Sequence, residues 1–174
     1  LLVAMKFNRP KKQGFTILEI VVAAAILIML AGMAIPAFQD SVADAEVAAT
    51  RSMLARMRTA VDFYAFQHQE NLPGESVGGG VWLESYLDAQ LRMSSDIDGN
   101  TAAAGAAGYP FGPYLNEAFP SNPANGLDTI LIVAPGGTYT GPDDTSGWIY
   151  WADTGVIRAN TTELSPDGGA IYDL

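Results

Sequence analysis

The order of apolar and polar positions divides the chain into an N-terminal helical part and a C-terminal part of short, mixed elements. Apolar residues are nearly continuous from Phe15 to Phe38, and Ile20 to Phe38 is a run of nineteen residues without a charge. About twenty apolar residues cross a ~30 Å hydrocarbon core as a helix, so residues 15–38 read as a membrane-spanning segment. Beyond Gln39 the pattern turns amphipathic. Val47, Leu54, Met57, Val61 and Tyr64 recur at three-, four- and seven-residue steps, with Asp40, Asp44, Arg51, Arg58 and Asp62 elsewhere around the helix. Heptads are not sustained, which argues against a coiled coil. Pro73 and Gly74 in "NLPG" are the stop signal, so the pattern predicts one helix of roughly 55 residues, its amphipathic half spanning 39–72. Pro36 lies inside it, removes the bond to the carbonyl of Gly32 and costs on the order of 3 kcal/mol, so a kink is expected there.

Residues 73–174 read as a globular head. "GESVGGG" (74–80) is a loop, and "VWLESYLDAQLRM" (81–93) carries Trp82, Leu83, Tyr86, Leu87 and Leu91 at the spacing of a short helix. "SSDIDGNTAAAGAAGYPFGP" is expected to be a long loop with no element of its own. Three strands follow: "DTILIVAP", "GWIYWA" and "GVIRAN", the last two joined by Asp153-Thr154-Gly155, a short glycine-containing hairpin. Trp148, Tyr150 and Ile157 alternate with Ile149, Trp151 and Val156, so both faces of the sheet are apolar. The fold class that results is α+β, a long helix packed on a small antiparallel sheet of about three strands. His68, the sole histidine, has no second ligand type near it in sequence and reads as a surface or edge residue.

Charge sharpens the picture. Nine basic residues stand against nineteen acidic ones, a net charge of −10, and four of the nine (Lys6, Arg9, Lys11 and Lys12) precede the apolar run. The positive-inside rule then leaves the N-terminus in the cytoplasm and residues 40–174 outside. The acidic head excludes nucleic acid as a partner, because phosphate binding needs clustered Lys and Arg. There are no cysteines, so an exported head must be held by packing or by an ion rather than by disulfides. With one histidine, no Ser/His/Asp set and no phosphate-binding glycine loop in a strand–turn–helix setting, catalysis finds no support and the chain reads as a non-enzyme.

The junction "KKQGFTILEI" (11–20) places an acid, Glu19, at the start of an apolar run. A secretory signal peptide has a shorter core and a small-x-small cleavage site behind it, which "GMAIPAFQD" does not offer. A plain anchor leaves Glu19 unexplained. The basic leader, Gly14, Phe15, Thr-Ile-Leu and Glu19 together resemble the class III signal of type IV pilins and type II secretion pseudopilins. That resemblance implies cleavage by a prepilin peptidase between Gly14 and Phe15, with N-methylation of the new Phe15 amine and residues 1–14 as a cytoplasmic leader. Met5-Lys6 would give that leader a start within the sequence, with residues 1–4 as a start-site misassignment or an alternative start. An ionised carboxylate at a bilayer centre costs roughly 2.5–3.5 kcal/mol on insertion scales and less near the interface. Glu19 lies about 6 Å along the helix from Phe15 and can stay near that interface in a lone subunit. In a packed bundle it needs a cation, and the Phe15 amine of a neighbouring subunit is one. Glu19 would thus set register during assembly. The same resemblance implies that helical structure is lost before Pro36, over about 29–36, in a filament.

In the head, "GPYLNEAFPSNPANGLDTI" (112–130) and "GWIYWADTGVIRAN" resemble major pseudopilins, although the tryptophan and aspartate common in the secretion-system version of the first segment are absent. Calcium binding late in the head, as implied by that resemblance, points to Asp143, Asp144, Asp153 and Asp167, without the family's recognisable ligand run. "DIDGN" (96–100) lacks the closing acid of an EF-hand loop. "NTT" (160–162) fits a glycosylation acceptor. Two functions stay open. One is a structural subunit of a type II secretion pseudopilus or type IV pilus, with identical or related subunits, the prepilin peptidase, an inner-membrane assembly platform and lipid as partners. The other is a membrane-tethered periplasmic module whose acidic head binds a ligand or cation.

Overall fold

The computed structural model describes residues 14–174, apart from the side chains of residues 34, 36, 37 and 40. The basic leader and its start at Met5 lie outside the described residues. The chain falls into two compact units, Leu1–Asp40 and Ser41–Leu174.

Helix α1 covers Ile17–Gln67. It begins after Thr16 because that residue caps it: Thr16 Oγ1 accepts the Glu19 N–H at 3.1 Å, and the Thr16 carbonyl accepts the Ile20 N–H at 3.2 Å. Thr at the N-cap with Glu three positions on is the sequence of a capping box, and an acid in the first turn is favoured by the helix dipole. Every side chain from Phe15 to Met33 is exposed, Phe15 at 78 % and Met33 at 77 %. Among the described residues no helix is long and apolar enough to cross a membrane. The unbroken described run Ile17–Met33 rises only about 25 Å, against the ~30 Å of a hydrocarbon core. The helical backbone continues through Gly32 and residue 36, while the kink expected at Pro36 rests on a side chain outside the described ones.

In the second unit α1 buries one stripe, Val47, Thr50, Leu54, Met57, Ala60, Val61 and Tyr64, which His68 continues just past the helix end. Spacings of mostly three and four put these on one face of a 3.6-residue helix. The helix ends at Gln67, before the "NLPG" stop. Gln69 and Glu70 both take positive φ (58° and 67°), and the Glu70 N–H returns to the Ala65 carbonyl at 2.8 Å. A left-handed closure of this kind satisfies the last carbonyls even without glycine.

Helix α2, Glu84–Arg92, lies within the expected 81–93 and buries Leu87 and Leu91. The segment 94–113 is not element-free. Strands β1 (Ser94–Ser95) and β2 (Thr101–Ala102) pair antiparallel, and Ser95 bridges to Phe111. Asp96 closes the turn between them: Oδ1 accepts the N–H groups of Asp98 and Asn100 at 3.0 and 2.9 Å, and Oδ2 accepts Asn100 Nδ2 at 2.8 Å.

The main sheet has the order β3 (Ile130–Val133), β4 (Trp148–Trp151), β5 (Ile157–Ala159). The α+β arrangement holds, with one difference from an all-antiparallel head. β4 and β5 are antiparallel, Tyr150 opposite Ile157, but β3 and β4 are parallel, Ile130 opposite Trp148. Parallel neighbours need a crossover of a dozen or more residues, and the connection 134–147 is long enough to carry one. On the inner face Ile130, Trp148, Tyr150, Ile157 and Ala159 form one core with the α1 stripe, Leu87 and Leu91. The edge strand β3 is not left bare: Glu84 Oε1 on α2 accepts the Ile130 N–H at 2.8 Å. At the hairpin Gly155 has φ 71°, and a Cβ there would stand 2.8 Å from Leu72 Cδ2, so the turn needs glycine twice over.

Candidate functional site

The junction predicted to be read by other proteins consists of Gly14, Phe15, Thr16 and Glu19. Among the described residues Gly14 has no atom within 4 Å of where a Cβ would stand, so no described contact requires glycine there. The same is true of Gly32, a helix-interior glycine that costs about 1 kcal/mol relative to alanine. Packing among the described residues therefore accounts for neither glycine. Phe15 projects at 78 % exposure, and Glu19, in the first helical turn, makes no salt bridge with any described residue. An exposed aromatic at the end of an exposed apolar helix, with one acid a turn away, is a surface built for lipid or for other helices. The signal missed in the sequence was Thr16, legible as the first member of the T-x-x-E pattern.

The family described as "Prokaryotic N-terminal methylation motif" matches residues 9–35, which bracket this junction. The chain is 30 % identical over 93 residues to "Fimbrial protein" of Neisseria meningitidis serogroup B, covering 53 % of this chain and 54 % of that protein. It is 31 % identical over 88 residues to "Type IV major pilin protein PilE" of Neisseria gonorrhoeae, covering 51 % and 46 %. To "Type IV major fimbrial protein FimA" of Dichelobacter nodosus it is 33 % identical over 97 residues, covering 56 % and 59 %. Residues 9–35 match that methylation motif, and over about half its length the chain is similar to type IV pilins. It spans about half the length of the curated relatives it matches. No solved structure matches it.

The acids of this pilin-like chain that were candidates for calcium are engaged locally. Asp143 Oδ1 accepts Asn160 Nδ2 at 2.7 Å and the Thr145 hydroxyl at 2.7 Å, and the Asn160 bond chiefly holds its carboxyl down at about 2. Asp144 binds the Thr162 hydroxyl and N–H, which lowers its pKa, and Asp167 is lowered likewise by the Ser165 hydroxyl. Asp153 sits in the β4–β5 turn. Among the described residues no three His, Cys, Asp or Glu side chains gather as a metal ligand set.

Asn160 is the hub of a buried polar network that the sequence did not announce. Its Oδ1 accepts the Asp143 N–H at 2.9 Å and the Tyr139 hydroxyl at 3.1 Å, and its Nδ2 also donates to Ser146 Oγ at 2.9 Å. Burial and then Asp143 push the Tyr139 hydroxyl up to about 12. Asn125 Nδ2 reaches the carbonyls of Ser146 and Asn160, and Asn122 Nδ2 reaches the Gly147 carbonyl at 2.9 Å. Asn160 is wholly buried with its amide committed, so "NTT" is not available to a glycan in the folded head.

His68 corrects the reading of a surface or edge residue. It is 1 % exposed, stacked on Tyr64 with ring centroids 3.8 Å apart. Nδ1 lies 2.8 Å from the Tyr64 carbonyl and Nε2 3.0 Å from Ser95 Oγ. A carbonyl only accepts, so Nδ1 carries the proton and Nε2 accepts from the serine. The histidine joins α1 to β1.

Proposed function

We propose that this chain is a structural subunit of a type IV pilus-like filament. Before assembly it is held in the bacterial inner membrane by residues 15–38, with the N-terminus cytoplasmic and the head outside. The observation that carries this is the junction: Gly14, an exposed Phe15 and a Glu19 with no ion pair among the described residues open a helix whose first seventeen or so residues bury nothing. The peptidase cuts between Gly14 and Phe15, the freed amine is methylated, and it pairs with Glu19 of a neighbour as both leave the interface. Gly32 and Pro36 give the segment where α1 loses helical bonds in the packed filament. The working partners are other pilin-like subunits, the prepilin peptidase and the inner-membrane assembly platform, and the role is structural rather than catalytic.

A pilus is favoured over a secretion pseudopilus because the relatives named above are pilins. The aromatic hairpin that suggested a pseudopilus is accounted for by the core, where Trp148 and Tyr150 are fully buried. The tethered-binding-module reading has less to stand on, since the acidic side chains satisfy one another's neighbours rather than converge.

Mass spectrometry of protein extracted from carbonate-washed membranes tests the proposal. The mature chain should begin at N-methylated Phe15, and Gly14→Val should leave the precursor uncut. Normal processing of Gly14→Val, or protein released by carbonate, would contradict it.

A further inference from the structure

We infer that the groove between the outer face of α1 and residues 113–116 is the seat of a second copy of this chain, entered by an acidic segment of that copy's head. The inference rests on the filament reading and specifies which surface of the head meets the neighbour. The groove has a volume of about 680 Å³ and is lined by Ala55, Arg56 and Phe63 from the helix and by Pro113, Leu115 and Asn116 opposite. Its lining is mixed, with Phe63, Pro113 and Leu115 as apolar wall and Ser52, Thr59 and Arg56 as polar groups. Phe63 is 58 % exposed and Phe66, one turn on, 84 % exposed, although Tyr64 between them is core. Two exposed phenylalanines on one helical edge are unusual for a face that stays in water.

The charge distribution selects the occupant. Five basic residues lie beyond Phe15. Arg58 donates to the Ile157 and Leu174 carbonyls, Arg92 pairs with Asp88, and Arg158 pairs with Asp173. Arg51 lies near enough to Asp167 to lower its pKa, though less than Ser165 does. Arg56 has no hydrogen bond or ion pair with any described residue. Among the described residues Arg51 and Arg56 are the guanidiniums without a hydrogen bond or ion pair, and of the two Arg56 lines the groove, with Asn116 across it likewise unpartnered among the described residues. Copies of a chain that carries five basic and nineteen acidic residues from Phe15 onward repel unless their contacts match a cation with an acid. Residues 73–174 of each copy supply acids in excess and Arg56 supplies the cation.

The test places a photo-crosslinking phenylalanine analogue at position 63 of the full chain, in cells that assemble filaments, and irradiates sheared filaments. The expected product is a dimer-sized band in which residue 63 is joined to an acid-containing peptide from 73–174. Arg56→Glu should lower filament yield at least tenfold with processing unchanged, and Arg56→Lys should restore most of it; circular dichroism confirms the folded head in both. A cross-link to residues 15–38 of a neighbour, to a different protein, or within one chain only would overturn the assignment while leaving the filament reading intact. So would wild-type yield from Arg56→Glu. Wild-type cells that form no filaments of this chain would overturn both.

Discussion

Glu19→Gln separates the helix-start role seen within one chain from the pairing proposed between chains. Within one chain, Glu19 stands at the third helical position behind the Thr16 cap, and its backbone N–H, not its carboxylate, makes the 3.1 Å bond to Thr16 Oγ1. Glutamine keeps that bond and can occupy the same capping-box position. The loss inside the chain is the dipole contribution, about 0.3–1 kcal/mol. Under the proposed pairing between chains, the loss would be an ammonium left buried without its counter-charge, about 3–5 kcal/mol. With a tenfold change per 1.4 kcal/mol, the first role predicts an effect of a few-fold at most and the second at least about a hundredfold. The assay is a shear preparation of filaments alongside a blot for processed subunit, comparing wild type, Glu19→Gln and Thr16→Val. Under the pairing mechanism Glu19→Gln is inserted and cut but absent from filaments, whereas Thr16→Val, which removes only the cap, assembles at reduced yield. Equal yields from Glu19→Gln and wild type, or a Thr16→Val defect as deep as that of Glu19→Gln, would refute the pairing.

Three further outcomes test the head. Gly147→Ala should destabilise it by more than about 2 kcal/mol in urea unfolding, since a Cβ would stand 2.0 Å from the Leu127 carbonyl oxygen and 2.7 Å from its carbon, both backbone atoms that cannot give way cheaply. Asp143 should titrate near 2 by NMR, and Asn160→Ala should move it up toward 3.8. Because the folded value is the lower one, the stabilisation is present above the ordinary carboxyl range and is lost as pH falls from about 4 to about 2, and Asp143→Asn should abolish that part of the acid dependence. His68→Leu should cost about 1–3 kcal/mol despite its apolar replacement, because the buried Ser95 hydroxyl and the Tyr64 carbonyl each lose a hydrogen-bond partner.

What the sequence determined by itself was whatever depends on near neighbours along the chain. The core stripe Val47, Leu54, Met57, Val61 and Tyr64 was legible because a helix brings residues three and four apart to one face whatever it packs on. The Asp153-Thr154-Gly155 turn was legible because positive φ selects glycine locally, and the Gly14–Phe15–Glu19 junction because its motif lies in one linear stretch, the one the N-terminal methylation family matches. The tertiary structure alone decided the parallel pairing of β3 with β4, since alternation within "ILIV" and "WIYW" is the same for either direction and only the path of residues 134–147 chooses. It also decided the fate of isolated polar residues. His68 meets Ser95, twenty-seven positions away, and Asn160 meets Ser146, Asp143, Tyr139 and Asn125 across 14 to 35 positions. A lone histidine or asparagine reads as surface until such partners arrive, because burying it without them costs a few kcal/mol and burying it with them costs almost nothing.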